Sequence, residues 1–244
     1  MPFAKPQQLG DFTAQYKDKL PDDIVAELLR LGERHFSSLE DFPDARAFWW
    51  PRFQRISHWF ADFETRRRGG ILKLDAEIHG TLEIPLRERV FTLRSRADRI
   101  EHRADGRYAI LDYKTGQVPT PPQVKSGLAP QLTLEGAILR AGRFGTIPAG
   151  ASIAEFLYIA LRGVNPPGEP RPIGWKDSTP DAEADMALRR LAAVVAKFDD
   201  PDTPYRSRER PMFLRRGPGD YDHLARVREW SLFGDAEDGE GGVE

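Results

Sequence analysis

Three residues in the stretch "RADRIEHRADGRYAILDYKTG", Arg96 to Gly116, have the types and spacing for chemistry. They are Asp98, Asp112 fourteen positions later, and Lys114 two beyond that. Between the two acids lies "RADGR". If Ala104–Asp105–Gly106 is a three-residue hairpin loop, closed by glycine in the left-handed position, Arg103 pairs with Arg107 and Asp98 falls opposite Asp112. Opposed residues share a face, with Cβ atoms roughly 4.5–5.5 Å apart, and Lys114, two along from Asp112, points the same way. A two-residue loop would set Asp98 against Tyr113 and scatter the set. Two ionised carboxylates this close repel unless one holds a proton or a cation lies between them. Such oxygens suit Mg2+ or Mn2+, which needs only one or two protein carboxylates and fills its other positions with water and substrate phosphate. The Tyr113 carbonyl is a candidate third oxygen. A lysine beside such a metal orients or deprotonates an attacking water and stabilises a pentacoordinate phosphorus, and the metal adds Lewis acidity and a lower water pKa. The set predicts phosphodiester hydrolysis. A bare D-x-K arises by chance in many chains. An acid, a hairpin of this length, "ILDYKTG" and then a helix with a polar "PQL" near its start form a far more specific phrase.

The elements that must position these residues follow from periodicity. Residues 21–40 read as a helix, with Pro21 and Asp22–Asp23 in its first turn and Ile24, Leu28 and Leu31 at helical spacing. A longer helix covers 44–68, its apolar face made by Phe48, Trp49, Phe53, Ile56, Trp59, Phe60 and Phe63. It ends in "RRRGG", cations at the negative end of the dipole and glycine as a stop. Strands are expected at 71–79, 81–86, 91–101 and 107–114. "APQLTLEGAILRAG" reads as a helix with Pro130 in its first turn and Gly142 after its last apolar residue. "IAEFLYIAL", 153–161, is the apolar run of a buried strand, "NPPGEPRP" a linker, and 180–198 a last helix. Helices, strands, a helix, a strand and a helix predict a mixed α/β domain with a central sheet.

Composition sets bounds. The 244 residues are 40% apolar and carry a formal net charge of −2, so any basic surface for nucleic acid has to be local. With no cysteine there is no disulfide, zinc–thiolate site or iron–sulfur cluster. No apolar run approaches the ~20 residues of a membrane span, and "MPFAKPQQLG" lacks the apolar stretch of a signal peptide. A cytoplasmic protein with no membrane association is expected.

"RADRI", "AILDYKTG" and "APQLTLEGAI" resemble the motifs of the RecB-type nucleases in the PD-(D/E)xK superfamily. "LEDFPDARAFWWPRFQRI" and "GDYDHLARVREWS" are similar to the AddB family in particular, whose C-terminal nuclease domain works within the AddAB helicase–nuclease on double-strand breaks. The resemblance runs from about residue 12 to 233. It implies a restriction-endonuclease-like α/β core, a central mixed sheet flanked by helices. Under it, 1–70 is a helical region packed on the core, 71–165 the nuclease core, 166–234 a C-terminal helix with an Arg-rich segment, and 235–244 a disordered acidic tail, all in one structural domain. It further implies Asp98 and Asp112 as metal ligands, Lys114 as the catalytic lysine and Gln131 as the motif glutamine near the metal water or the DNA backbone. DNA ends or single strands are the implied substrate and an AddA-type subunit the implied partner.

The chain departs from that family in places. The tyrosine usual four residues after the glutamine is Glu135 here. The cysteines of the family's iron–sulfur cluster are missing. The family's early-helix histidine, in a G-T-x-x-H pattern, would fall near Pro6, and His35 is the remaining early histidine that could stand in for it. No G-x-x-x-x-G-K-[ST] phosphate loop appears, so no ATP binding is expected. Arg206, Arg208 and Arg210 in the Arg-rich segment are candidate DNA-phosphate contacts, and Arg66, Arg67 and Arg68 are either phosphate contacts or a charged helix end. His58, His79, His102 and His223 show no metal-ligand spacing, and Glu77 and Glu83 are ordinary strand acids unless one approaches the metal. The rival to a nuclease is a DNA-binding or docking module without catalysis.

Overall fold

The hairpin forms with the three-residue loop. β2 (Val90–Arg103) and β3 (Tyr108–Lys114) run antiparallel, with Arg99 opposite Leu111, Ile100 opposite Ile110, Glu101 opposite Ala109 and His102 opposite Tyr108. Arg103 N donates to Arg107 O at 2.8 Å, Gly106 N donates to Arg103 O at 2.9 Å, and Gly106 has φ 79°. One more step of this register sets Asp98 against Asp112. The computed structural model describes residues 7–37 and 41–204.

Around that hairpin stands a five-stranded mixed sheet in the order β1-β2-β3-β4-β5. β1 (Ile71–Pro85) pairs antiparallel with β2, β4 (Ile153–Leu161) parallel with β3, and β5 (Gly168–Ile173) antiparallel with β4. A parallel neighbour needs a long crossover. It is made by α4 (Pro121–Ser126) and α5 (Gln131–Arg140), so the "PQL" helix is delivered to the sheet beside β3.

Both faces of the sheet are covered. On one, Leu9 and Phe12 of α1 (Gln7–Gln15), Leu28 and Leu31 of α2 (Ile24–Phe36), and Ile56, Phe60 and Phe63 of α3 (Pro43–Arg68) pack on Ala109, Leu111, Tyr113, Leu157 and Ile159. On the other, Leu132, Ile138 and Leu139 of α5 and Phe144 pack on Ile100, Ile110, Phe156 and Tyr158, joined by Ala184 of α6 (Pro180–Asp199). Fully buried side chains such as Phe60 and Ile110 each stabilise by ~1.5–3 kcal/mol. β3 and β4 lie between two helical layers, which is why "IAEFLYIAL" is apolar almost throughout. The chain divides into two compact units, Met1–Ala196 and Lys197–Glu244, and the architecture described here is that of the first. Among the described residues no helix is long and apolar enough to cross a membrane.

Several elements differ from the sequence expectation. α1 was not anticipated; "QQLGDFTAQ" shows only a short apolar pattern. α2 begins at Ile24 because Asp23 is its N-cap, its Oδ1 accepting from Ala26 N at 2.9 Å, so Pro21 and Asp22 precede the helix. The two strands expected at 71–79 and 81–86 are one, since Gly80 stays in the ladder. Gly80 is needed there because a Cβ would come within 2.6 Å of Phe144 and Ile138. Five of the eight residues of the expected linker "NPPGEPRP" belong to the edge strand β5, where proline is tolerated because one side of the strand has no ladder to feed. Pro130 caps α5 rather than lying in its first turn. Gly69 ends α3 with φ −60°, in the ordinary helical region. Phe48 leaves the apolar face and is 52% exposed, beneath the Arg52 guanidinium. The acidic tail 235–244 lies outside the described residues.

Candidate active site

The site is built where the hairpin ladder stops. The last laddered pair of β2 and β3 is Arg99 with Leu111. Beyond it the Asp98 side chain takes over, its Oδ2 accepting from Tyr113 N at 3.1 Å. The β1 ladder skips one residue at the same level. Ala76 pairs with Arg99 and Ile78 with Ala97, while Glu77, between them and level with Asp98, has φ 52°. Left-handed backbone in a non-glycine residue costs roughly 1–3 kcal/mol and marks sites the surroundings hold in place. The sheet twists there. Ala97 and Ile100, three apart and on opposite faces of a regular strand, both pack in the α5-side core. Ala97 and Asp98, at the mouth of the opened strands, begin a run of five buried residues that ends at Glu101.

Asp112 reaches the same place from β3, and α5 supplies the remaining partners. Asp112 is 1% exposed and Asp98 4%. Lys114 Nζ lies 2.7 Å from Asp112 Oδ2 and donates to Gln131 Oε1 at 2.9 Å. Gln131 Nε2 donates to Asp112 Oδ1 at 2.5 Å and, more weakly, to Glu135 Oε1 at 3.3 Å. Glu135, one turn along α5, also accepts from Ser95 Oγ of β2 at 2.9 Å. Burial pushes the Asp112 carboxyl above the usual carboxylate range. Lys114 opposes that shift and Asp98 adds to it. Burial raises Glu135 to about 8 against the Ser95 donor, with Asp112 and Asp98 adding their repulsion. Tyr158, registered beside Asp112 on β4, is raised by burial and by the Asp112 and Glu135 carboxylates, and its hydroxyl makes no hydrogen bond.

The donor set fits a divalent cation. Asp112 Oδ2 is buried, and its one close polar partner among the described residues is the Lys114 ammonium, 2.7 Å away and shared with Gln131. A buried carboxylate oxygen in that state, with a second carboxylate raising its pKa, is stabilised by a cation. Asp98 and Asp112 could supply the one or two carboxylate ligands that magnesium commonly takes from protein. Among the described residues no three His, Cys, Asp or Glu side chains gather into a metal cage. His35 therefore does not join the two aspartates. Its Nε2 is instead 2.7 Å from Asp11 Oδ2, between α2 and α1.

Thus Asp98, Asp112 and Lys114 of the hairpin come together with Gln131 of α5. Arg206, Arg208, Arg210 and the position near Pro6 lie outside the described residues. Two of the three arginines ending α3 are structural. Arg67 pairs with Glu101 and Glu155, and Arg68 with Glu64 at 2.8 Å. They belong to a buried charge network on the α1–α3 side of the sheet, centred on fully buried Arg99, which pairs with Glu64, with Glu101 and with the Tyr113 hydroxyl. Burial opposes the charge of Arg99, but Tyr113, Glu64 and Glu101 hold it above the ordinary arginine pKa. His102 stacks on Tyr108 at 4.7 Å. Glu77 pairs with Arg96 at 2.6 Å. Sequence reasoning missed Ser95 and Tyr158. It noted Glu135 only as a departure, although the i, i+4 spacing from Gln131 was the signal that the two share a face.

Relatives at modest identity accompany this geometry. An uncharacterized protein of Rickettsia bellii is 29% identical over 138 residues, 56% of this chain and 16% of that protein. One of Rickettsia typhi is 30% identical over 122 residues, 50% and 14% of the two chains. One of Rickettsia felis is 32% identical over 96 residues, 39% and 11%. The chain thus matches 11–16% of the length of these relatives. The crystal structure of SSO0001 aligns over 71% of this chain and 72% of that one with a TM-score of 0.34 at 13% identity, too loose a likeness to bear on fold or function. The model of the PD-(D/E)XK nuclease superfamily matches residues 11–210, which include Asp98, Asp112, Lys114 and Gln131. With the strands, the two acids and the lysine in that arrangement, the chain belongs to the PD-(D/E)XK nuclease superfamily.

Proposed function

We propose that this chain is a divalent-metal-dependent DNA nuclease domain of the AddB/RecB type, hydrolysing phosphodiester bonds at DNA ends or in single strands during double-strand break repair and recombination. The supporting observation is the convergence of Asp98, Asp112, Lys114 and Gln131 at the opened end of the β2–β3 hairpin. Asp98 and Asp112 would hold Mg2+, with Mn2+ as a substitute. When bound, the ion supplies Lewis acidity and a lower pKa for water. Lys114 presents its ammonium beside Asp112, where it offsets charge developing on a phosphate oxygen and orients the attacking water. Gln131 holds both groups with one amide, its N–H on Asp112 and its carbonyl on Lys114. Arg206, Arg208 and Arg210 would add phosphate contacts, each making DNA binding more salt-sensitive. The sequence has no phosphate loop, so an AddA-type partner subunit would provide any ATP-driven motor. The expected setting is the cytoplasm.

The test is cleavage of labelled single- and double-stranded DNA with Mg2+, Mn2+ or EDTA, comparing wild type with Asp112→Ala and Lys114→Ala. Metal-dependent cutting lost in both variants supports the enzyme. A wild type that binds DNA and never cuts it supports a non-catalytic DNA-binding module instead.

A further inference from the structure

We infer that Glu135 is a positioning residue for this site: it locks the Gln131 amide, and through it the Lys114 ammonium, in one orientation, with Ser95 as its anchor on β2. The inference rests on the nuclease reading above and adds a residue to its machinery.

An amide side chain has two orientations of nearly equal shape, and its hydrogen bonds decide between them. In the one adopted by Gln131, Nε2 faces two carboxyl oxygens, Asp112 Oδ1 and Glu135 Oε1, and Oε1 faces the Lys114 ammonium. Turned over, the carbonyl would face both carboxyl groups and the NH2 would face the ammonium. Asp112 by itself gives an unsteady reference, because it is also the partner of Lys114 and the candidate metal ligand. Glu135 supplies a second acceptor that has neither duty.

Glu135 is itself held firmly. It lies one turn after Gln131 on the same face of α5, is 1% exposed, and accepts from Ser95 Oγ at 2.9 Å. Ser95 is fixed in turn. It pairs with Gly80 of β1, whose missing side chain lets Phe144 and Ile138 close against the strand. The chain of contacts thus runs from β2 through Ser95, Glu135 and Gln131 to Lys114 and Asp112. Burying a carboxyl group beside two other acids is costly. An apolar side chain would fill the position at less cost, and what the acid adds is the pair of hydrogen bonds that Oε1 accepts.

The test measures kcat and KM for metal-dependent DNA cleavage by wild type, Glu135→Leu, Glu135→Gln and Ser95→Ala, with thermal melting as a check on folding. Glu135→Leu removes the acceptor and should lower kcat roughly 10- to 100-fold with KM within about twofold, as expected when a reacting group is misplaced. Glu135→Gln keeps an acceptor oxygen and should restore kcat to within about threefold of wild type. Ser95→Ala should fall between. Wild-type kcat in Glu135→Leu, or equal losses in the Leu and Gln variants, overturns the inference. If Glu135→Leu does not fold, Ser95→Ala decides: a several-fold lower kcat at constant KM supports positioning, and wild-type kcat refutes it. A wild type that cuts no DNA overturns the nuclease reading together with this one, whereas a cutting wild type with an indifferent Glu135→Leu overturns this one alone.

Discussion

Gln131 Nε2 and Asp112 Oδ1 stand 2.5 Å apart, joining the first residue of α5 to the buried acid of β3. The same amide accepts from Lys114 at 2.9 Å. Gln131→Ala should leave Lys114 with Asp112 alone and lower the cleavage rate about 10- to 100-fold. Gln131→Glu should be worse, because it sets another carboxylate against Asp112. Single-turnover cleavage at saturating metal checks both; a Gln131→Glu variant more active than Gln131→Ala would contradict the assignment.

Lys114 is 26% exposed and Asp112 is not, so the pair is a buried acid facing a cation at the solvent edge. Lys114→Met should abolish most cleavage, a loss of at least about 100-fold. Lys114→Arg should not restore it, since a planar fork does not reproduce a compact ammonium. Rate recovery in the arginine variant would argue that only charge matters at this position.

The Glu135 carboxyl gives a pH signature in stability. It titrates near 4.5 when unfolded and at about 8 when folded. Between those values the folded state keeps a proton that the unfolded state has lost. Its contribution is therefore full below about pH 4.5, declines as pH rises, and is gone above about 8. Glu135→Gln should remove that decline and melt at least about 3 °C above wild type at pH 8, with little difference near pH 5. Metal-free melting curves from pH 5 to 9 measure it.

Arg99 lies on the other side of the sheet, wholly buried between Glu64 and Glu101. Arg99→Ala should cost about 3–5 kcal/mol by leaving two carboxylates without their cation, a fall in melting temperature on the order of 10 °C. Adding Glu64→Gln should recover part of it. A melting point within 2–3 °C of wild type, about 1 kcal/mol, would show that Arg67 and Arg68 already neutralise the acids.

The site was legible because the loop between its strands is short and contains a glycine. "RADGR" fixes the register, and the register fixes which acids face each other. α5 was legible from its apolar spacing, and "IAEFLYIAL" from its unbroken apolar run. Other features depend on contacts distant in sequence. The Glu77 backbone and the twist that brings Ala97 and Ile100 to one face have no local signature. The role of Arg67 depends on Glu101 and Glu155, 34 and 88 residues away. β5 was hidden by its prolines, which an edge strand accepts.

Calorimetric titration of Mg2+ and Mn2+ into wild type, Asp98→Asn and Asp112→Asn tests most directly whether the two aspartates form a cation site. Saturable binding by wild type, lost in both variants while their melting points stay at or above that of the wild type, is the predicted result. Undiminished binding in either variant, or none in wild type, would contradict it.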